Sequence, residues 1–398
     1  MHGRMVYFVS RIVLALSIEF GLTVVTTQSA QAQTLTVLYS FAGSPDGSNP
    51  YAGLVRDSAG NLYGTTTGGG ASNWGTAFKV DTSDKENVLL NFSYTKGYGA
   101  NPNGGLVSDA AGNLYGTATY GGSYGQGLVF KLDSGGKETV LHNFSGGIGD
   151  GCVPYDVDLV LDSAGDLYGT TGACGAFGYG TVFKVSKSGK ETVLYSFAGG
   201  TGDGCNPYAG VAQDKAGDLY GTTPACGAHG AGTVFKLSKT GKKIVLYSFC
   251  QQSGCADGQS PYTGVIRDAK DNLYGTTILG GTDGVGTIFK ITSGKLTTLY
   301  SFCSQSGCWD GIAPFARMII DTKGNLYGTA TSGGRSSEGV VYELSSSGTL
   351  TVLHSFAGGA SDGCNPYGSV TRDTAGNLYG TTLYCGASGF GTVWKLTP

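Results

Sequence analysis

Residues 217–222 read Gly-Asp-Leu-Tyr-Gly-Thr, and this word occurs seven times, with Gly or Asp at its first position and Asn or Asp at its second. Successive copies are 52 to 54 residues apart, a repeat length typical of β-propellers and other repeat arrays. The chain is therefore predicted to contain seven copies of one structural unit. The tyrosines of the seven words are Tyr63, Tyr115, Tyr168, Tyr220, Tyr274, Tyr327 and Tyr379.

Each unit contains four candidate strands, which in the fourth copy are residues 208–213, 219–223, 233–237 and 244–249. All four are short, rich in β-branched or aromatic residues, and bounded by turn residues. Apolar residues nowhere recur with helical spacing after residue 32. The unit is therefore predicted to be a four-stranded antiparallel sheet.

An Asp-x-x-Gly turn joins the first two strands of a unit, as at Asp214 and Gly217. The Asp side chain can cap such a turn, and Gly takes the left-handed conformation of a bulged hairpin. In the fifth copy the glycine is replaced by Asp271, and Asp is one of the few residues that tolerate this conformation. The substitution supports the predicted turn.

The two ends of the repeat region complement each other. Residues 35–41 match a fourth strand without its unit, and residues 392–396 match a third strand without its successor. An N-terminal strand that completes the last unit would leave no free sheet edge between the chain ends. The sequence therefore predicts an all-β, seven-bladed β-propeller closed by its N-terminal strand. An open solenoid is the alternative, but it needs distinct capping repeats, which the terminal units lack.

The first 32 residues resemble an export signal. Arg4 and Arg11 give a positive start, residues 12–18 are apolar, and Ala30-Gln31-Ala32 is a small-x-small cleavage site. We expect a signal peptide at 1–32, a propeller at 33–398, and a secreted, periplasmic or cell-surface location in a bacterium.

Charge and hydropathy narrow the range of partners. Removal of residues 1–32 leaves 23 basic and 27 acidic residues, a net charge of −4. This balance disfavours nucleic acid as a partner. No later segment is apolar and long enough to span a bilayer. We expect a glycan or an extracellular protein as the partner, and the oligomeric state stays open.

Ten cysteines follow the signal segment, an even number that suits disulfides in an oxidising compartment. In three units one cysteine precedes the first strand and another follows the second strand, and the two occur together or not at all. Two other units each carry a pair that encloses a short Ser-Gly loop. The predicted disulfides are Cys152–Cys174, Cys205–Cys226, Cys250–Cys255, Cys303–Cys308 and Cys364–Cys385.

The repeat resembles a known family of exported bacterial proteins, the Gloeobacter–Verrucomicrobia (GloVer) tandem repeat family. The resemblance rests on Gly-Asn-Leu-Tyr-Gly-Thr-Thr, Gly-Thr-Val-Phe-Lys-Leu and Thr-Val-Leu-Tyr-Ser-Phe, and it covers essentially all of 34–398. It implies an exported repeat protein and no particular activity. The Asp-x-x-Gly-Asn-Leu-Tyr hairpin is more loosely similar to propellers of the NHL and kelch types.

The sequence shows no catalytic apparatus. His142 and His354 replace a tyrosine of the outer strand, and His229 alone occupies a loop without an evident orienting partner. No Cys-x-x-Cys motif occurs, and no cysteine has a neighbouring histidine. We therefore expect no catalytic residues, no metal site and no cofactor, although enzymatic activity stays open.

An Asp-Gly pair precedes the first strand in six units, and an aromatic residue follows it closely. These segments are predicted to share one loop face with other aromatic residues. Acids beside aromatic rings suit a sugar-binding surface, although turn formation and packing between blades explain the same pattern. The candidate ligand-binding residues are Trp74, Tyr124, Tyr179, Asp203, Tyr208, His229, Asp257, Trp309, Asp310 and Asp362.

Three functions are compatible with this sequence. The first is a non-catalytic exported propeller that binds a glycan or a protein on its loop face. The second is a hydrolase or lyase that acts on carbohydrates or lactones with loop carboxylates. The third is a structural scaffold of a cell-surface assembly.

Overall fold

The strands of this protein form a β-propeller. The computed structural model describes residues 33–95 and 97–398, and in these residues the strands form seven four-stranded antiparallel sheets, the blades. Strands follow one another from the inside of a blade to the outside. The predicted signal peptide lies outside the described residues. Within 33–95 and 97–398, no helix has the length and apolarity needed to cross a membrane.

The second, third and outer strands of each blade have five to seven residues, whereas the inner strand has only two. The prediction of an inner strand over 208–213 was therefore too long, because the chain at 208–210 borders the propeller axis. From blade 1 to blade 7 the strands are Val55–Arg56, Leu62–Thr66, Thr76–Val80 and Glu86–Asn91; Val107–Ser108, Leu114–Ala118, Leu128–Leu132 and Glu138–Asn143; Val160–Leu161, Leu167–Thr171, Thr181–Val185 and Glu191–Ser196; Ala212–Gln213, Leu219–Thr223, Thr233–Leu237 and Lys243–Ser248; Ile266–Arg267, Leu273–Thr277, Thr287–Thr292 and Lys295–Ser301; Ile319–Ile320, Leu326–Ala330, Val340–Leu344 and Leu350–Ser355; Thr371–Arg372, Leu378–Thr382, Thr392–Thr397 and Thr34–Ser40.

The ring closes as predicted. The N-terminal strand Thr34–Ser40 pairs antiparallel with Thr392–Thr397 and is the outer strand of blade 7. The closure also joins the hydrophobic cores, because the ring of Phe41 packs edge-to-face against Phe78 of blade 1 at 5.0 Å. The first and last blades therefore meet through the same contact as any other pair.

The glycine of the repeated word creates the slot for the blade's largest side chain. Gly221 lies opposite Phe235 on the third strand, and a Cβ at Gly221 would lie 2.6 Å from the ring. Phe235 is fully buried and packs against Phe197 at the end of the preceding outer strand. A side chain larger than glycine would displace this ring, so the word and the aromatic position depend on each other.

The tyrosine of the word completes the inner hairpin. Asp214 accepts hydrogen bonds from the backbone N–H groups of Ala216 and Asp218, each at 2.9 Å, and from the Tyr220 hydroxyl at 3.0 Å. The predicted left-handed positions are confirmed at Gly217, with φ of 88°, and at Asp271, with φ of 64°. The hairpin acids are therefore structural groups of the turn.

Small antiparallel ladders on the loop face join the segment before an inner strand to the loop after the second strand. In blades 5 and 6 a single bridge and a 3-10 turn, Ser253–Cys255 or Ser306–Cys308, take their place. All five predicted disulfides are present in the described part of the chain. The ladders are Gly47–Ser48 with Gly68–Gly69, Gly99–Ala100 with Tyr120–Gly121, Gly151–Cys152 with Ala173–Cys174, Gly204–Cys205 with Ala225–Cys226, and Gly363–Cys364 with Tyr384–Cys385.

Candidate functional site

Aromatic rings surround the propeller axis at the loop face. Each follows the proline before an inner strand, and in blade 2 this position is Asn103. Neighbouring rings lie 5.0 to 6.4 Å apart, and Tyr51 contacts Phe315 as well as its two neighbours. We call this set the aromatic annulus, and among the described residues it consists of Tyr51, Tyr155, Tyr208, Tyr262, Phe315 and Tyr367.

A small cavity lies at the axis beside the annulus. Its volume is about 30 Å³, which is room for about two water molecules. Backbone and small side chains form most of the lining, and the charged residues are Asp156, Asp158 and Arg317. We call the two aspartates the axial acids.

The axial acids break the repeat. In six units seven positions separate the proline before the inner strand from the hairpin aspartate, whereas Pro154 and Asp162 of blade 3 are eight positions apart. Asp156 and Asp158 lie in this longer segment. The signal was visible in the sequence as an insertion, but sequence reasoning missed it.

The two axial acids differ in their partners. Asp158 accepts a hydrogen bond from the backbone N–H of Gly105 at 3.0 Å. The carboxylate of Asp156 has no hydrogen-bond partner among residues 33–95 and 97–398. Burial, and then the charge of Asp158, raise the pKa of Asp156 well above its ordinary value. Asp156 is therefore held in its neutral form over a wider pH range than an ordinary aspartate.

Arg317 does not neutralise the axial acids. Its Nη2 donates to the carbonyl oxygen of Val265 at 3.2 Å, and its Nε is buried without a partner. In the described part of the chain, no ion pair of 4.0 Å or less joins Arg317 to an acid. The cavity therefore contains polar groups whose bonding capacity is unfilled.

A groove on the loop face extends over blades 7, 1 and 2. Its volume is about 580 Å³, within the range of small-molecule sites. The half-exposed rings of Trp74 and Phe390 contribute its aromatic surface, and Tyr94 stacks on Trp74 with ring centroids 5.0 Å apart. We call this the aromatic groove, and its lining residues are Ser48, Asn49, Thr67, Gly68, Ser72, Asn73, Trp74, Asn101 and Phe390.

Polar groups of the aromatic groove remain available to a ligand. The exposed Ser72 hydroxyl has no hydrogen-bond partner among the described residues. Asn73 Oδ1 accepts from the backbone N–H of Gly69 at 3.1 Å, while the Nδ2 of Asn73 has no partner within 33–95 and 97–398. The groove thus presents hydrogen-bonding groups beside aromatic surface.

The aspartates of the Asp-Gly pairs lie between neighbouring blades, and we call them the junction acids. Each accepts a hydrogen bond from a tyrosine or histidine of the preceding outer strand and further bonds from backbone N–H groups. Asp257 and Asp310 are fully buried. The junction acids are Asp46, Asp150, Asp203, Asp257, Asp310 and Asp362.

The chain can now be placed among known proteins. A family model described as the Gloeobacter/Verrucomicrobia repeat matches residues 19–161, 87–257, 150–309 and 206–398. The chain belongs to this family. A comparison with the curated proteins found no match.

Two solved structures share the fold of this Gloeobacter/Verrucomicrobia repeat protein. One is a candidate 6-phosphogluconolactonase from Bacteroides uniformis, with 16% identity and a TM-score of 0.52, over 86% of this chain and 91% of that one. The other is a puromycin-hydrolysing peptidase from Mycobacterium tuberculosis, with 12% identity and a TM-score of 0.50. That match covers 85% of this chain and 53% of the peptidase. At these identities the likeness shows the fold alone.

The predicted ligand residues of this repeat protein fall into separate places. Asp203, Asp257, Asp310 and Asp362 are junction acids, whose carboxylates are hydrogen-bonded within the blade junctions. Tyr208 belongs to the aromatic annulus, and Trp74 lines the aromatic groove. The remaining side chains, those of Tyr124, Tyr179, His229 and Trp309, are exposed outside both the annulus and the groove.

Proposed function

We propose that this protein is an exported, non-catalytic propeller that binds an uncharged glycan in the aromatic groove. The observation that carries the proposal is the pairing of two half-exposed aromatic rings with free amide and hydroxyl groups in one concave surface. Aromatic faces can stack on the apolar face of a pyranose ring, and amides and hydroxyls can bond its hydroxyl groups. The five disulfides fit an oxidising compartment.

The chemistry of the lining supports a neutral ligand. None of the residues that line the aromatic groove is charged. A larger groove, of about 640 Å³, lies between blades 5 and 6 on the hairpin face, and its lining includes Lys270, Lys290 and Lys323. A uronate or phosphorylated sugar would find its counter-charges in that second groove, whereas a neutral sugar suits the aromatic groove.

The alternative is a hydrolase or lyase that uses the axial acids. The raised pKa of Asp156 favours it, because neutral carboxylic acids serve as general acids. The size of the axial cavity opposes it, since about 30 Å³ admits water but not a sugar or a lactone. The groove that could hold a sugar contains no carboxylate. Binding without turnover is therefore the better-supported function.

The test is a titration of the purified protein against a panel of neutral and acidic polysaccharides, followed by calorimetry with the best binder. We expect a neutral polysaccharide to bind and Trp74→Ala to weaken it about tenfold or more, the effect of losing an aromatic anchor. Trp309→Ala is the matched control, because Trp309 is a tryptophan outside the groove that is 51% exposed, against 37% for Trp74.

Three results would contradict the proposal. The first is a panel without any binder, and the second is equal loss of affinity in the Trp74 and Trp309 variants. The third is appearance of shortened or ring-opened product, which would favour the enzyme. In that case Asp156→Asn should abolish turnover and leave binding intact.

A further inference from the structure

Each blade junction places three positions together at the rim of the propeller. One is near the end of an outer strand, the second is the junction acid, and the third is near the start of the next outer strand. At the junction of blades 3 and 4 these are Tyr195, Asp203 and Lys243. The ammonium of Lys243 forms a buried ion pair with Asp203 and lies 5.8 Å from the centre of the Tyr195 ring. At this junction the third residue therefore places a positive charge beside the junction acid.

The junction of blades 2 and 3 has the same architecture with a different charge. Its three residues are His142, Asp150 and Glu191, so a carboxylate replaces the ammonium and an imidazole replaces the phenol. His142 Nε2 lies 3.2 Å from Asp150 Oδ1, and one ligand atom from each of the three side chains lies within 4.8 Å of the others. The place of the cation is thus enclosed by three potential ligands.

The third residue is incompletely bonded at this junction, as are the equivalent Glu86 and Glu138 of blades 1 and 2. Glu191 Oε1 is buried and has no hydrogen-bond partner in the described part of the chain. No lysine or arginine of the described residues forms an ion pair with Asp150 or Glu191. The junction therefore contains two acids and one imidazole, and it lacks the ammonium group that the junction of blades 3 and 4 holds.

We propose that His142, Asp150 and Glu191 bind one divalent transition-metal ion that joins blades 2 and 3. Zn²⁺ takes imidazole nitrogen and carboxylate oxygen at about 2.0 to 2.2 Å, and the edge of such a tetrahedron is about 3.3 Å. The hydrogen-bonded separation of 3.2 Å between His142 Nε2 and Asp150 Oδ1 is compatible with that edge, and His354 Nε2 lies at the same distance from Asp362 at a junction without the third ligand. Two carboxylates and one dication are together neutral, as are Asp203 and Lys243 at the next junction.

Two other junctions serve as natural controls within the chain. At the junction of blades 6 and 7, His354 lies 3.2 Å from Asp362, but the third position is Leu35. At the junction of blades 7 and 1, Asp46 and Glu86 provide two acids, but the first position is Tyr39. The complete set of one imidazole and two carboxylates occurs, in the described residues, at the junction of blades 2 and 3 alone. This proposal departs from the sequence-based expectation of no metal site, because the three ligands come from three separate segments.

The experiment titrates Zn²⁺ into the purified, chelator-stripped protein, produced without a histidine tag, in competition with a chromophoric chelator. One equivalent of Zn²⁺ per chain should bind, and saturating Zn²⁺ should raise the melting temperature. His142→Tyr and Glu191→Lys should each weaken binding by about a hundredfold or more, which exceeds the effect of removing an outer-shell group. Both variants install the residue that the junction of blades 3 and 4 already uses, so we expect them to fold.

The control variant is His354→Tyr, which should leave one equivalent bound with unchanged affinity. The proposal is overturned if the native protein takes up no Zn²⁺ below millimolar concentration. It is equally overturned if folded His142→Tyr or Glu191→Lys binds as tightly as the native protein, or if His354→Tyr removes the site.

Discussion

The junction acids and the axial acid Asp156 are carboxylates enclosed by the same fold, but their surroundings are opposite. Asp150 illustrates the junction. Burial alone would raise its pKa, but hydrogen bonds from His142 and from the N–H and hydroxyl of Ser145 outweigh burial and leave the pKa lowered. Asp156 has no such donors, and burial and Asp158 leave its pKa raised. At Asp150 the hydrogen-bond donors outweigh burial, whereas at Asp156 burial and the charge of Asp158 act without such donors.

The junction acids recur in most repeat units, whereas the axial acids occur in a single unit. Junction acids occur in six units and meet the same kind of donors each time, so their role is to fasten neighbouring blades. The axial acids occur in one unit, beside a backbone insertion, and leave bonding capacity unfilled. In a repeat protein, a residue present in every copy points to the fold, and a residue present in one copy points to a site.

The largest change in the free energy of unfolding should follow from removing a junction acid. Asp257 is fully buried and accepts from the Tyr247 hydroxyl at 2.7 Å and from the N–H groups of Gln251 and Gln252 at 3.0 and 3.1 Å. Asp257→Ala leaves these donors without their acceptor and should lower the free energy of unfolding by about 3 kcal/mol. Urea denaturation followed by tryptophan fluorescence measures the change.

The matched control for Asp257→Ala is Asp214→Ala, which removes a hairpin acid of similar bonding on a more exposed turn. Its loss should be smaller, because water can bond the freed groups. A loss below about 1 kcal/mol for Asp257→Ala would show that the junction acids do not fasten the blades.

Replacement of the axial acid Asp156 should instead raise the free energy of unfolding, by an intermediate amount. The raised pKa of Asp156 means that the folded state binds its proton more tightly than the unfolded state does. Below its unfolded pKa, Asp156 therefore does not lower the free energy of unfolding. As pH rises from there towards the folded pKa, it lowers the free energy of unfolding by up to about 1.4 kcal/mol per pH unit. Asp156→Asn should be more stable than the native protein at pH 8 and similar to it at pH 4.

The measurement for Asp156→Asn is a series of urea denaturations from pH 4 to pH 8. Asp158→Asn is the companion variant, because Asp158 has a backbone donor and its removal also relieves Asp156 of a like charge. If the stability curves of Asp156→Asn and the native protein run parallel over this range, the pKa of Asp156 is not raised in the folded protein.

Most of the fold was predictable because the sequence contains seven copies of the same pattern, which can be compared with one another. The blades, the closure by the N-terminal strand (predicted at 35–41, observed at Thr34–Ser40), the five disulfides and the positive φ at Asp271 were all confirmed. The placement of the acids relative to the aromatic residues was not predictable. The Asp-Gly pair marks a turn in the sequence, but the sequence does not show that the Asp257 carboxylate accepts from the Tyr247 hydroxyl of the preceding outer strand.

Part of the candidate site could be predicted from the sequence. Trp74 was identified as an exposed aromatic residue, whereas its groove with Phe390 depends on two blades that meet only after ring closure. The insertion between Pro154 and Asp162 was visible, but its position at the axis was not. Side chains from distant blades converge at both places, and alternation along a strand cannot show such convergence.

The smallest change in the free energy of unfolding should follow from removing a single tyrosine hydroxyl at a junction. Tyr247→Phe removes one donor to Asp257 and leaves the acid with its two backbone donors, so we expect a loss of about 1 kcal/mol. In the double variant with Asp257→Ala, the tyrosine has no partner to lose, so its further effect should be near zero. The coupling energy from this cycle measures the bond between outer strand and junction acid directly. A coupling near zero would mean that the backbone donors alone, and not the tyrosine hydroxyl, hold Asp257 at the blade junction.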